Sequence, residues 1–318
     1  MFKIGVMWLA AILWAAAAQA QVAVPSIVPG IYATENPAAI KWGAPTSVGM
    51  GYLESSSQRS QTGSTYGFSG ASAGLRWVSE RYAVAGEQTT LDSYQVPGFK
   101  EKTSSASGQV AVQLGSSFAI GGGMDSRNLD GLDISALGGI YNRAYVPAGH
   151  LARDTSQEGG GGISWRMGDT FFVGASGGRE RFTVLDQTSG AFVLDGSRDV
   201  VKAGIGYRRG GRVLTHVEVY SIQRQDFAPP GGTPFGGSTL TAGVLEFNFS
   251  GLLVAYTTKG ATATDQSTTT TSSYDIGLAG TRGLTFVAHS EERKVDRTAL
   301  GFGKDSDQVT ALQVSFLF

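Results

Sequence analysis

The chain has 318 residues, including 46 glycines and no cysteine; 41% are apolar, 16% charged, and the formal net charge is −1. That is too glycine-rich and charge-poor for an ordinary soluble domain and too apolar for a disordered one. The missing cysteine excludes thiolate catalysis, thiolate-held zinc and disulfides, and the balanced charge gives nucleic acid no basic stripe to bind.

Residues 1–20 read as a secretory signal peptide. Lys3 is a short positive start, Ile4 to Ala18 is an apolar run, and Ala18-Gln19-Ala20 is a small-x-small cleavage pattern. The run is shorter than the roughly 18 residues of a spanning helix. Residues 21–43 follow as a distinct segment, in which Val22, Val24, Ile27, Val28, Ile31, Tyr32 and Ile40 are interrupted by Pro25, Pro29 and Pro37. At roughly 25 cal/mol per Å² such apolar surface favours burial. The nearest shelter is the interior of the structure that follows, so this segment is expected to be a hatch or plug.

Residues 44–318 alternate residue by residue between an apolar and a different face. Phe318, Phe316, Val314 and Leu312 share one side, and so do Val201, Ala203, Ile205 and Tyr207, and Tyr274, Ile276 and Leu278. Period 2 is the signature of strands. Six tight turns are predicted, at 79–81, 115–117, 167–169, 209–211, 249–251 and 281–283. They alternate with longer polar loops near 58–66, 92–103, 128–158, 186–196, 226–237, 263–271 and 295–304. The expected fold is all-β, a transmembrane antiparallel β-barrel of about fourteen strands with short periplasmic turns and longer extracellular loops. Strand 7 is the least regular, neither face being clearly polar, and its Arg179 and Arg181 mark where it leaves the membrane. A soluble sandwich or β-helix would not need interface aromatics at one end. Here Trp77, Tyr82, Phe118, Trp165, Phe171, Phe172, Tyr207, Phe247, Phe249, Phe286 and Phe316 all fall beside the tight turns.

The face opposite the apolar one predicts the lumen. It carries Arg76, Glu87, Gln113, Asp125, Arg166 and Lys202 in the first two thirds, then Glu218, Glu246, Lys259, Asp275, His289 and Glu291. Both signs are mixed, so no ion preference follows. His289, Glu291 and Asp275 could form an acid-base set, but polar lumen residues pairing with one another is the simpler expectation. Two Gly-x-Ser-x-Gly matches, at 70–74 and 174–178, lie within strands, where a nucleophile elbow has no turn to expose its serine. Gly121 to Gly123 and Gly159 to Gly162 read as places where the barrel bends or the lumen needs room. With three histidines in all, no metal, catalytic residue, cofactor or enzyme activity is expected.

The stretch Glu35-Asn36-Pro37-Ala38-Ala39-Ile40, just ahead of the first strand, resembles the Asn-Pro-Ala hatch motif of the FadL/TodX-type hydrophobic-compound transporters. The resemblance implies a fourteen-stranded barrel plugged by an N-terminal hatch, with Asn36, Pro37 and Ala38 as the hatch motif. It also implies lateral exit of ligand through a kink in the third strand, for which Gly86 is the candidate. The terminal Phe316 and Phe318 resemble the C-terminal signal by which the barrel assembly machinery recognises its clients.

The expected location is the Gram-negative outer membrane, with lipid, the assembly machinery and small hydrophobic ligands as partners. Passive uptake of hydrophobic compounds or fatty acids is the leading reading. A weakly selective aqueous porin, and an adhesin or structural barrel acting through the 128–158 loop, are the alternatives.

Overall fold

A computed structural model describes residues 36–42, 46–58, 65–93, 102–133, 151–168, 170–209, 213–227, 236–278, 283–296, 298–300 and 303–317. The predicted signal peptide, residues 21–35 and 43 of the hatch, and Phe318 lie outside the described residues.

The alternating runs form fourteen antiparallel strands closed into one barrel. The first four are β1 (Ser47–Gln58), β2 (Thr65–Val78), β3 (Tyr82–Ser93) and β4 (Lys102–Leu114). Four longer ones follow: β5 (Phe118–Asp133), β6 (Leu151–Met167), β7 (Phe171–Asp186) and β8 (Phe192–Arg209). The circuit continues through β9 (Val213–Arg224), β10 (Ser238–Phe249) and β11 (Leu252–Ala263). It ends with β12 (Thr268–Leu278), β13 (Gly283–Asp296) and β14 (Lys304–Leu317). β14 pairs with β1 in a register running from Ser47 opposite Leu317 to Gln58 opposite Ser306, so no strand edge remains. Closure is the condition for a sheet to stand in lipid, because every backbone donor and acceptor is then satisfied between strands.

The pleat sorts the side chains. On β12, Tyr274 and Ile276 are 60% and 58% exposed, while Asp275 between them is 6% exposed. Met50, Trp77, Trp165, Phe171, Phe247, Phe249, Phe286 and Phe316 likewise stand on the outer face. Phe172 corrects the predicted aromatic belt: it is buried inside. Consecutive strand residues point to opposite faces, so the Phe171-Phe172 pair cannot both face lipid.

The strands reach further into the predicted loops than turn-forming composition suggests. β7 runs through Asp186 and β8 begins at Phe192. The turn between them is held by the Asp186 carboxylate, which accepts from Thr188 N at 2.9 Å and Ser189 Oγ at 2.6 Å. Thr268 to Thr271 belong to β12 rather than to a loop, because β-branched threonine suits a pleated strand as well as a turn. β5 and β6 likewise take both flanks of the predicted 128–158 loop.

With 16 to 18 residues each, β5 to β8 exceed the roughly ten or eleven that cross an apolar band at about 45° of tilt. Arg179 and Arg181 stand exposed on the outer face of β7. Arg181 pairs with Asp195 at 2.9 Å, and its hydrogen bond holds the Asp195 carboxyl below the usual carboxylate range.

Candidate functional site

Inside the barrel, among the described residues, lies one 3-10 turn, Pro37–Lys41. Asn36 caps it in an extended conformation and proline occupies its first position, where φ is already set and no N–H is needed. The Ala39 amide donates to Asn36 O at 2.9 Å, and the Trp42 amide to Ala39 O at 3.0 Å. Asn36 is completely buried. Its Oδ1 accepts from the Ala38 amide at 3.0 Å and its Nδ2 donates to Ile163 O, on β6, also at 3.0 Å. One side chain thus satisfies the turn and ties it to the wall.

The wall is shaped to receive backbone. The turn packs on β3 to β7, where Gly121, Gly122 and Gly123 on β5 stand opposite Gly162, Gly161 and Gly160 on β6. A Cβ at Gly121 would come within 2.6 Å of Ala38 N and Pro37 C, and one at Gly162 would run into Asn36 Oδ1. Gly121, Gly123 and Gly162 face the Asn-Pro-Ala turn, where no side chain fits between it and the sheet.

The other end of the turn is fixed by side chains. The Arg76 guanidinium on β2 donates to Ile40 O, and Ile40 packs with Ala83 and Ala111. Trp42 Nε1 donates to Ser164 Oγ at 2.9 Å, and the Arg166 guanidinium lies 4.9 Å from the Trp42 ring centroid. Burial, followed by the like charges of Arg166 and Arg76, holds the Lys41 pKa below its usual value. Trp42 also joins Ala39, Ala119, Phe172, Val200, Tyr220, Ile222 and Ala242 in a buried apolar cluster, with Leu240 and Val244 packed against it.

The remaining predicted lumen residues are distributed around the inner face. Glu87 is partly buried on β3, and Gln113 Nε2 donates to Gly115 O at 2.8 Å beside a tight turn. Asp125 lines a small, partly open pocket together with Pro37, Gln109, Glu158, Ser176 and Lys202. Lys202 pairs with Glu158 at 2.5 Å. Glu218 and Glu246 face His216 at 3.1 and 3.6 Å. Asp275 Oδ1 meets His289 Nδ1 at 2.6 Å, and Lys259 interacts electrostatically with Glu291. Among the described residues, no group of three or more His, Asp or Glu side chains is arranged to hold a metal ion.

Gly86, the candidate for the kink, lies in regular pairing. It pairs with Leu75 on one side and Gly108 on the other, in ladders that run without a shift in register, so β3 does not break there. Shifts occur instead between Leu129 and Leu132 on β5 and between Val184 and Leu185 on β7. Phe316 stands on the outer face, 44% exposed.

Two groups of inner residues escaped the sequence reading. Tyr220 and Ile222 share the face of His216 and Glu218, and continuing that parity would have found them. Glu180, Arg198 and Arg224 join Glu158 in a charged network: Arg198 meets Glu180 at 2.7 Å, and Arg224 lies 3.9 Å from Glu158 and 3.8 Å from Glu180. Glu180 sits on the strand whose faces the sequence did not distinguish, and Glu158 was read as loop.

The geometry defines a class, a closed fourteen-stranded barrel with an apolar exterior and a plug turn seated on its inner wall. No family model matches the chain, and no curated protein matches it in sequence. Solved structures do match. The CymD monoaromatic hydrocarbon channel superimposes with a TM-score of 0.56 at 12% identity, over 90% of this chain and 92% of that one. A Pseudomonas aeruginosa FadL homologue gives 0.52 at 14% identity, over 89% and 93%. The Ralstonia pickettii toluene transporter TbuX gives 0.51 at 12% identity, over 90% and 92%. The resemblance first carried by Asn36, Pro37 and Ala38 therefore holds over the whole barrel at the level of the fold.

Proposed function

We propose that the chain is a plugged outer-membrane channel that admits small hydrophobic molecules, exported by its signal peptide and inserted by the barrel assembly machinery through its C-terminal strand. The observation that carries this reading is the apolar cluster inside the barrel, where Trp42 meets Phe172, Val200, Tyr220 and Ile222. A water-filled pore has no need to gather aromatic and branched side chains on its inner face, whereas a path for apolar cargo requires them. The likeness in fold to barrels described as hydrocarbon channels and toluene transporters supports the same reading.

Asn36, Pro37 and Ala38 form the plug's contact with the wall, and the charged residues from Glu87 to Glu291 line the rest of the lumen. The test is paired. Protein-containing liposomes are expected not to swell in small sugars, while a Gram-negative host expressing the protein accumulates labelled toluene or fatty acid several-fold faster. Swelling without that accumulation would favour an aqueous porin, the reading to which the mixed-charge network of Glu158, Glu180, Arg198 and Arg224 lends support.

A further inference from the structure

The wall opposite the plug carries a second constellation. His289 on β13 is 1% exposed and lies directly across from Asp275 on β12. Its Nδ1 meets the Asp275 carboxylate at 2.6 Å, while Nε2 is buried without a hydrogen-bond partner. Glu291 and Gln313, 5% and 7% exposed on the same inner face, also hold a buried oxygen each without a partner, Oε2 and Oε1. A buried polar atom left unpaired destabilises a fold, and three on adjoining strands is a concentration that packing alone does not require.

The surroundings complete the chemistry. On β14 the residue opposite His289 is the small Ala311, which is in turn opposite Leu53 of β1. Leu53, Leu253 and Val287 are buried on the same inner surface. An imidazole that gives its Nδ1 proton to a carboxylate is fixed in orientation and, when neutral, presents Nε2 as an acceptor. Glu291 Oε2 and Gln313 Oε1 are acceptors too. The carboxylates of Asp275 and Glu291 offset the nearby Lys259 and Arg293, which leaves an anionic guest little positive charge to bind. What fits unpaired acceptors set among buried apolar side chains is an apolar molecule that brings a donor.

We propose that His289, held by Asp275 and flanked by Glu291 and Gln313, is a binding site for a small apolar molecule carrying a hydroxyl group, such as a phenol or an alcohol, whose O–H donates to Nε2. The proposal rests on the reading of the barrel as a channel for hydrophobic molecules and narrows its cargo. A site built to receive a hydroxyl discriminates strongly against the analogue lacking one, because its own buried groups are then left unpaired.

Phenol and toluene differ only by hydroxyl for methyl, and are the probes. Their affinities are measured by calorimetry on the full chain in nanodiscs, with protein-free nanodiscs as the blank, alongside ¹⁵N spectra of the histidine rings. Phenol is expected to bind about tenfold more tightly than toluene, as one hydrogen bond gives, and to shift the Nε2 resonance of His289, while toluene leaves it in place. In His289→Leu the phenol-to-toluene ratio falls to about one. His289→Gln, which keeps an acceptor and guards against a folding defect in the leucine variant, retains part of the preference.

If toluene binds as well as phenol, or if His289→Leu and His289→Gln both keep the parental ratio, the site is not a hydroxyl receptor although the channel reading stands. If neither compound binds above the blank, the channel reading falls and this inference with it.

Discussion

The inner surfaces of the two sides of this barrel are built on opposite plans. On β4 to β7 the inward residues beside the plug are Gly121, Gly123, Gly160, Gly162 and Ser164, and the main chain of residues 36–42 approaches the sheet almost to contact. On β9 to β14 the inward residues include the bulky, buried His216, Glu218, Tyr220, Ile222, Glu246, Asp275, His289 and Glu291, with smaller ones such as Ala242 and Ala311 between them. A wall stripped of side chains receives another piece of the chain. A wall dense with them meets the lumen with its own chemistry, and the buried ionisable groups there mark the side where a guest can be recognised.

The largest effect is expected from breaking the first plan. Gly121→Val places atoms where Ala38 N and Pro37 C already lie; overpacking of this kind costs about 1–3 kcal/mol or more. The turn is expected to leave the wall, and liposomes carrying the variant swell in small sugars where the parent does not. Gly122→Ala is the control, since its Cβ would sit 3.6 Å from Gly160 O on the other face and the variant behaves as the parent.

Asn36→Ala comes next. Removing both its hydrogen bonds leaves the Ala38 amide without its cap and Ile163 O without that donor, a loss of about 1–3 kcal/mol, read as a lower unfolding midpoint and a smaller leak than Gly121→Val. Trp42→Phe keeps a ring in the apolar cluster but loses the bond to Ser164 Oγ. It is expected to lower stability by about 1 kcal/mol with no sugar leak, which separates anchoring by the indole nitrogen from plugging by the turn.

The smallest effect lies at the rim, away from either wall. The hydrogen bond from Lys304 holds the exposed Asp296 carboxyl well below its ordinary value of 3.8. A depressed carboxyl contributes stability above its unfolded value and loses it as the pH falls toward the folded one. Asp296→Asn should therefore differ slightly from the parent at neutral pH, and the difference should shrink steadily below about pH 4; midpoints collected across that range check it.

The barrel and its inner and outer faces were legible because lipid on one side and lumen on the other impose strict alternation, visible from Tyr274-Asp275-Ile276 alone. Strand ends were less so. Asp186 and Thr268 to Thr271 have turn-like composition, yet they extend strands, and only the hydrogen bonds of the finished turn decide where pairing stops. The plug motif Asn36-Pro37-Ala38 could be read as a motif, and Gly121 to Gly123 as a place needing room. That the two meet is a contact between segments more than eighty residues apart, which no local pattern encodes. Gly86 could not be assigned from its residue type, because a glycine in mid-strand marks a bend in one setting and an ordinary ladder position in another. Phe172 was misread because position along the chain was weighed and parity was not.

The central claim is that residues 36–42 lie inside the barrel against the β4–β6 wall. The chain has no cysteine, so an introduced pair can react only with each other. A Cβ at position 123 would lie 3.4 Å from Pro37 Cβ, at the short end of the roughly 3.5–4.5 Å spacing of disulfides. Pro37→Cys with Gly123→Cys, oxidised in intact membranes and read on a non-reducing gel, should cross-link nearly to completion, while Pro37→Cys with Gly122→Cys, on the opposite face of the same strand, should not. Failure of the first pair to close, or equal closure of both, would place the segment elsewhere and contradict the account.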